Sequence, residues 1–275
     1  MASSLTSLVL LVWLPVVRGV TCDEVVDLSH VLGPDSIFFP VFNLPFNLTV
    51  LERGQTADGY WFEYNKFDTL EHMGTHLDAP AHVHKGGWRV HEIPVSRLVG
   101  PGVVIDVRQQ VKNNPDYRVT VADLQRYERR YGRIPDGAAV FMWSGWDVRY
   151  PDPQTVFNTP TPNDISTYHF PGFHLDAVNW LIKSRTIYML GVDTPSIDFG
   201  QSRVFEVHQA FTAARILGLE NVNNLGRLPA SGATVVAAPV KLQDGSGVPI
   251  RILGLVPEGR TGLRGRAKRS SARLI

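Results

Sequence analysis

The stretch His72-Met73-Gly74-Thr75-His76-Leu77-Asp78-Ala79-Pro80-Ala81-His82 packs three of the chain's nine histidines and one carboxylate into eleven residues. A histidine pair four residues apart can bind metal from a helix. Here Gly74, β-branched Thr75 and Pro80 all oppose a helix, so the segment reads as extended. Side chains of an extended segment repeat every two residues, which sets His72, His76 and Asp78 on one face. Two imidazoles and a carboxylate form a borderline-to-hard ligand set suited to Zn²⁺ or Mn²⁺, with positions left for water. Pro80 ends regular pairing and turns the chain, leaving His82 near the metal and free for proton transfer. The competing reading is a polar surface strand whose histidines bind nothing. Three ligand groups on one face, followed by a fourth ionisable group, weigh against it.

Outward from this segment, short β-rich runs recur at 103–107, 138–143, 186–192, 234–239 and 250–256. Helical patterns lie among them. Residues 121–131 follow Thr120 as N-cap and carry Asp123 in the first turn. Residues 175–184 follow Pro171-Gly172, and 207–217 space Val207, Phe211, Ala214 and Leu217 at helical intervals. Strands alternating with helices indicate an α/β fold, in which sites gather where strands end and loops begin. With no internal repeat and no long low-complexity linker, a single domain over 23–257 is the simplest organisation.

Composition agrees. A chain of 275 residues, 44% hydrophobic and 19% charged, is not disordered or collagen-like, and can bury a sizeable core. Cys22 is the only cysteine, so no intrachain disulfide supports that core. The net charge of +1 argues against nucleic acid as the main partner. Its distribution is uneven. Six basic residues and no acid fall in 260–275, so setting these and Arg18 aside leaves 20 basic against 26 acidic residues in 19–259. The body is mildly acidic, and 259–275 reads as a basic disordered tail. At the other end, 7–17 is apolar but shorter than the roughly 20 residues of a membrane span. It suits the core of a secretory signal peptide (1–19) cut near Gly19, which predicts an extracellular protein with no membrane partner after cleavage. The sequon Asn47-Leu48-Thr49 matters only if the chain is exported.

The set His72-x-Gly74-Thr75-His76-x-Asp78-x-Pro80-x-His82 resembles the signature of the cyclase family of metal-dependent hydrolases, which includes bacterial-type kynurenine formamidase and isatin hydrolase. The likeness extends over most of 25–257. Asp27-Leu28-Ser29-His30 resembles the family's opening strand, and 141–146 its strand and turn, with Ser144 in place of Thr. Gly191-Val192-Asp193-Thr194-Pro195-Ser196-Ile197-Asp198 is similar to its Gly-x-Asp-x-x-Ser-x-Asp segment. His208 and Glu220-Asn221 have the spacing of its late ligands.

The resemblance implies an α/β fold of the swivelling β/β/α type, commonly a homodimer. It implies metal ligation by His72, His76 and Asp78, with Asp78 able to bridge two ions and His208 and Glu220 completing a binuclear Zn²⁺ or Mn²⁺ site. His82 becomes the catalytic acid/base. Since 208–220 include a helix, both late ligands reach one site only if the chain folds back near Gly218. Asp193 and Asp198 either orient ligand histidines or shape a turn, and Trp143 and Trp146 either pack in the core or wall the pocket. Formamidases of the family place Trp before Pro against the substrate. This chain has Phe39-Pro40, which keeps an aromatic face at Phe39 and loses the indole donor. The implied activity is hydrolysis of a small aryl formamide, N-formylkynurenine first. The alternatives are a cyclic amide such as isatin, a lactone, or a secreted binding protein that keeps the fold without turnover.

Overall fold

The run Ala138–Trp143 is buried at every position, a condition met only by a strand inside a sheet covered on both faces. The structure, a computed structural model, describes residues 22–40, 44–260 and 262–263. The signal-like segment 1–19 and most of the basic tail lie outside them. The chain runs β1 (Cys22–Asp27), β2 (Asn47–Gln55), β3 (Trp61–Asp68), β4 (His76–Asp78), β5 (Val99–Asp106), α1 (Arg108–Asn113), β6 (Arg118–Val119), α2 (Val121–Tyr131) and β7 (Ala138–Trp143). It continues through α3 (Pro153–Val156), β8 (Gly172–Phe173), α4 (Leu175–Ser184), β9 (Ile187–Val192), α5 (Glu206–Ala213), β10 (Leu217–Glu220), β11 (Ser231–Ala237), β12 (Gly247–Pro249) and β13 (Ile252–Pro257).

Nine strands form one mixed sheet in the order β1-β13-β11-β5-β7-β9-β10-β4-β12. Its centre, β5-β7-β9-β10, is parallel. The flanks are antiparallel, and β4 lies between β10 and β12. Alternation along β7 divides the core in two. Ala138, Val140 and Met142 face a cluster that includes Leu124, Val178, Leu181 and Phe211 from α2, α4 and α5. Ala139, Phe141 and Trp143 face a second cluster, in which Val26 and Ile252 from one flank join Leu77 and Val248 from the other across a curled sheet. Trp143 and Trp146 are both buried in these cores. Among the described residues no helix is long and apolar enough to cross a membrane.

Two helices match their sequence patterns to the residue because their signals are local. Thr120 Oγ1 accepts from the Asp123 amide at 3.3 Å while Asp123 Oδ2 accepts from the Thr120 amide at 2.8 Å, a capping box. The helix expected over 207–217 ends at Ala213 instead. Arg215, at φ +56°, reverses the chain, and 217–220 become β10. Apolar periodicity does not separate a helix from a buried strand over so few residues, and pairing with β9 and β4 decides it. The β2–β3 hairpin had no counterpart in the sequence reading. Among the described residues it pairs only with itself, and Leu48, Leu51, Trp61, Tyr64 and Phe67 on it are exposed.

Candidate metal centre

Asp78 stands at the end of β4 with a glycine on each side. It pairs with Gly218 of β10 and with Gly247 of β12. A Cβ at 218 would lie 2.9 Å from Asp78 Oδ2, and one at 247 would lie 2.3 Å from His72 Cε1. Both glycines are therefore dictated by the space these two side chains take. His76 and Asp78 share a face of β4 by the period of two. His72 does not belong to that strand, contrary to the expected continuous extended face. It lies in a turn, and Gly74 at φ +60° redirects the chain before β4 begins. Pro80–His82 form a 3₁₀ turn, as the proline suggested.

The late pair arrives from the opposite direction. Asp198 accepts from the backbone amides of Val207 and His208, which anchors the start of α5. Its Oδ2 also lies 2.7 Å from His208 Nδ1. The reversal at Arg215 then returns the chain along β10, and Glu220 ends that strand with Oε1 accepting from the Ile197 amide at 2.9 Å. His76 Nδ1 donates to the Gly74 carbonyl at 2.9 Å, and the Asn221 amide side chain donates to the same oxygen. With their Nδ1 protons committed to oxygen, His76 and His208 turn Nε2 to the centre, where it can take a proton or a metal ion.

Those nitrogens meet only acceptors. His76 Nε2 is 3.3 Å from Asp78 Oδ1 and 3.3 Å from Glu220 Oε2. His208 Nε2 is 3.1 Å from Glu220 Oε1 and 3.4 Å from Asp78 Oδ2. Asp78 Oδ2 is buried without a hydrogen-bond partner. Two inward ring nitrogens and two carboxylates, all buried, leave a space that only positive charge can satisfy. Burial works against charging His76, yet Asp78 and Glu220 overcome it and hold its pKa up to about 10, so a proton on Nε2 is one way of meeting this demand. The same contest raises His208 and lowers Asp78. A divalent ion with imidazole and carboxylate ligands fits this demand.

Among the described residues two groups could hold an ion, each with its ligand atoms within 4.8 Å of one another: His76, Asp78 and Glu220, and His72, Asp78 and His82. Asp78 is common to both. His72 Nδ1 is 2.7 Å from Asp78 Oδ1, and its ring stacks on His82 at 3.9 Å between centroids. His82 opens to the adjoining cavity, while the protein around the rest of the ring pushes its pKa down to about 4.

That cavity, of about 560 Å³, is lined by His72, His76, His82, His208 and Glu220 together with aromatic walls. Phe39 lines it, half-buried against Phe157 and Tyr168. Of the two carboxylates considered for orienting histidines, Asp198 does so for His208. Asp193 instead accepts from the Ser144, Gly145 and Trp146 amides and from the Ser144 hydroxyl, shaping the turn after β7. Burial still lifts its pKa to about 6 against these bonds. The sequence reading missed Ser246 and Gly247, whose only local signal is that of a turn. Ser246 Oγ lies 3.1 Å from His72 Nε2.

Comparison with known proteins gives this geometry relatives. The isatin hydrolase of Roseibium aggregatum is 34% identical over 252 residues, spanning 86% of this chain and 92% of that protein. The kynurenine formamidase of Bacillus cereus is 27% identical over 232 residues, spanning 83% and 95%. Among solved structures, isatin hydrolase A from Ralstonia solanacearum superposes with a TM-score of 0.75 at 37% identity, covering 85% of this chain and 92% of that one. A family model described as putative cyclase matches residues 26–199. With a family match over more than half its length and a relative of this identity across most of it, the chain belongs to the cyclase family.

Proposed function

We propose that this chain is a metal-dependent amidohydrolase acting on a small aromatic amide, with N-formylkynurenine as the first candidate and isatin as the second. The observation that carries this reading is the convergence of His76 Nε2, His208 Nε2, Asp78 and Glu220 on the floor of an aromatic cavity. A bound divalent ion, Zn²⁺ or Mn²⁺, supplies Lewis acidity and a water that ionises near neutral pH. His72, His76, Asp78, His208 and Glu220 would hold it, and the double membership of Asp78 supports two ions per chain.

The residues themselves do the rest. Phe38, Phe39, Phe170 and Phe205 wall the cavity, giving the aryl group an apolar berth and limiting competing water. The His82 ring takes up the proton released as water adds to the carbonyl. It returns that proton to the nitrogen that leaves, the role of a positioned acid/base. For a formamide the products are an arylamine and formate. For a cyclic amide the ring opens to an amino acid anion.

Each substrate has separate support. The isatin reading rests on the two isatin hydrolase relatives. The formamide reading gains from Arg203, which lines the cavity and donates only to neutral oxygens, the Gly200, Ser202 and Ser166 carbonyls and Gln201 Oε1. Its positive charge, part of which acts on Asp164, suits the amino acid carboxylate of N-formylkynurenine. Turnover of both substrates by metal-replete protein decides between them, and hydrolysis of neither would leave the binding-protein alternative.

The hairpin β2–β3 supports a homodimer. A two-stranded ribbon is marginal alone, and apolar side chains exposed along it call for a covering surface. Export rests on 7–17 and on the small residues before Val20. N-terminal sequencing of protein recovered from the medium tests it, and an intact Met1 form confined to the cytosol would overturn it.

A further inference from the structure

His72 differs from the other histidines of the centre in the nitrogen it turns inward. His76 and His208 offer Nε2, whereas His72 places Nδ1 2.7 Å from Asp78 Oδ1. Its Nε2 points outward, 3.1 Å from Ser246 Oγ. That hydroxyl lies 2.5 Å from Glu71 Oε2, which also accepts from the Ser246 amide at 3.0 Å.

The direction of hydrogen bonding along this chain is fixed from its outer end. An ionised carboxylate only accepts, so the single hydroxyl proton of Ser246 goes to Glu71. Ser246 Oγ is then an acceptor toward His72, so Nε2 carries a proton whatever Nδ1 holds. Nδ1, facing the Asp78 carboxylate, is the nitrogen left to take a cation. At 2.7 Å this nitrogen and the carboxylate need positive charge with them, a proton or a metal ion. Gly247 makes room for the arrangement. A Cβ there would stand 2.3 Å from His72 Cε1 and 2.8 Å from Nδ1, so any larger residue would push the ring from its place.

We infer that Glu71 and Ser246 are positioning residues that make His72 a ligand through Nδ1, opposite to His76 and His208, with Gly247 clearing the space. This rests on the metal reading proposed above. The histidine pair of the opening motif would thus use two different ring nitrogens, and one of them is set by a serine 174 positions later in the chain. An outer hydrogen-bond partner of a ligand histidine is worth about 10- to 100-fold in metal affinity.

The test is made on full-length protein labelled with ¹⁵N-histidine and saturated with zinc. Long-range proton–nitrogen correlation should show His72 with its proton on Nε2 and a metal-shifted Nδ1, and His76 and His208 with the reverse. Ser246→Ala should weaken the ion held by His72 about 10- to 100-fold in a zinc titration. It should also release the fixed tautomer while leaving the melting of the metal-free protein unchanged, and Ser246→Thr should restore both zinc readouts. His72 bearing its proton on Nδ1 overturns the inference. So does a Ser246→Ala protein with wild-type tautomer and affinity. A wild type that takes up no zinc is a different result, since it removes the metal reading itself and this inference with it.

Discussion

Asp78 and Gly218 face one another across β4 and β10, and a Cβ at position 218 would stand 2.9 Å from Asp78 Oδ2. The sheet register therefore shapes the centre directly. Gly218→Ala should displace that carboxylate, at about 1–3 kcal/mol for overpacking a filled site. Thermal melting and elemental analysis together check it. Unchanged melting with full metal content would mean that the Asp78 side chain has room to move.

His82 lies beyond Pro80, stacked on His72 and open to the cavity. As the acid/base, its replacement in His82→Ala should lower kcat by about 10²-fold or more with metal content intact. Its nearness to His72 and Asp78 makes the alternative sharp, since loss of metal in step with activity would make it a ligand.

Glu220 spans two histidines, with Oε1 toward His208 and Oε2 toward His76. Two ions close together repel, and a shared carboxylate offsets part of that repulsion. Glu220→Gln keeps the shape and removes the charge, so the weaker of two ions should be lost first on dialysis. Equal metal content and equal activity in variant and wild type would count against ligation by Glu220.

Acid stability should depend on Asp123, far from the centre. Burial favours its neutral form, but bonds from the Thr120 amide and hydroxyl, the Tyr117 hydroxyl and Arg126 outweigh it and lower its pKa. A depressed carboxyl pKa adds stability above the unfolded value, about 3.9, and loses it as pH falls through the folded value. Asp123→Asn should cost about 1–2 kcal/mol at pH 7 in denaturant unfolding, with the gap from wild type closing below about pH 4. A gap of the same size at pH 3 would show that charge is not its source.

The exposed hairpin predicts an assembly. Sedimentation of the wild type should give the mass of two chains, and Trp61→Ser with Phe67→Ser should give one. A monomeric wild type would leave this ribbon without a role in pairing.

Much of the fold was legible from local signals. Thr120 and Asp123 delimit α2 by bonds formed within four residues, and apolar runs such as 138–143 have no stable place outside a covered sheet. Residues 207–217 were less legible, because helical spacing persists past Ala213 while the backbone reversal at Arg215 carries no strong residue signal. The hairpin was illegible for a related reason. Its strands are apolar on surfaces that the single chain leaves exposed.

The ligand types and the turn at Pro80 were properties of the sequence alone, since donor chemistry and proline geometry travel with the residue. The resemblance of its motifs also indicated His208 and Glu220. What only the tertiary structure decided is how these groups meet. Pairing of β10 with both β9 and β4 carries Glu220 to His76, Asp198 turns the His208 ring, and the pairing of β12 brings Ser246 and Gly247 against His72. Side-chain chemistry is local, but the ring nitrogen that faces a metal is set by its partner on the other side. That partner is delivered by strand register between residues distant in the chain.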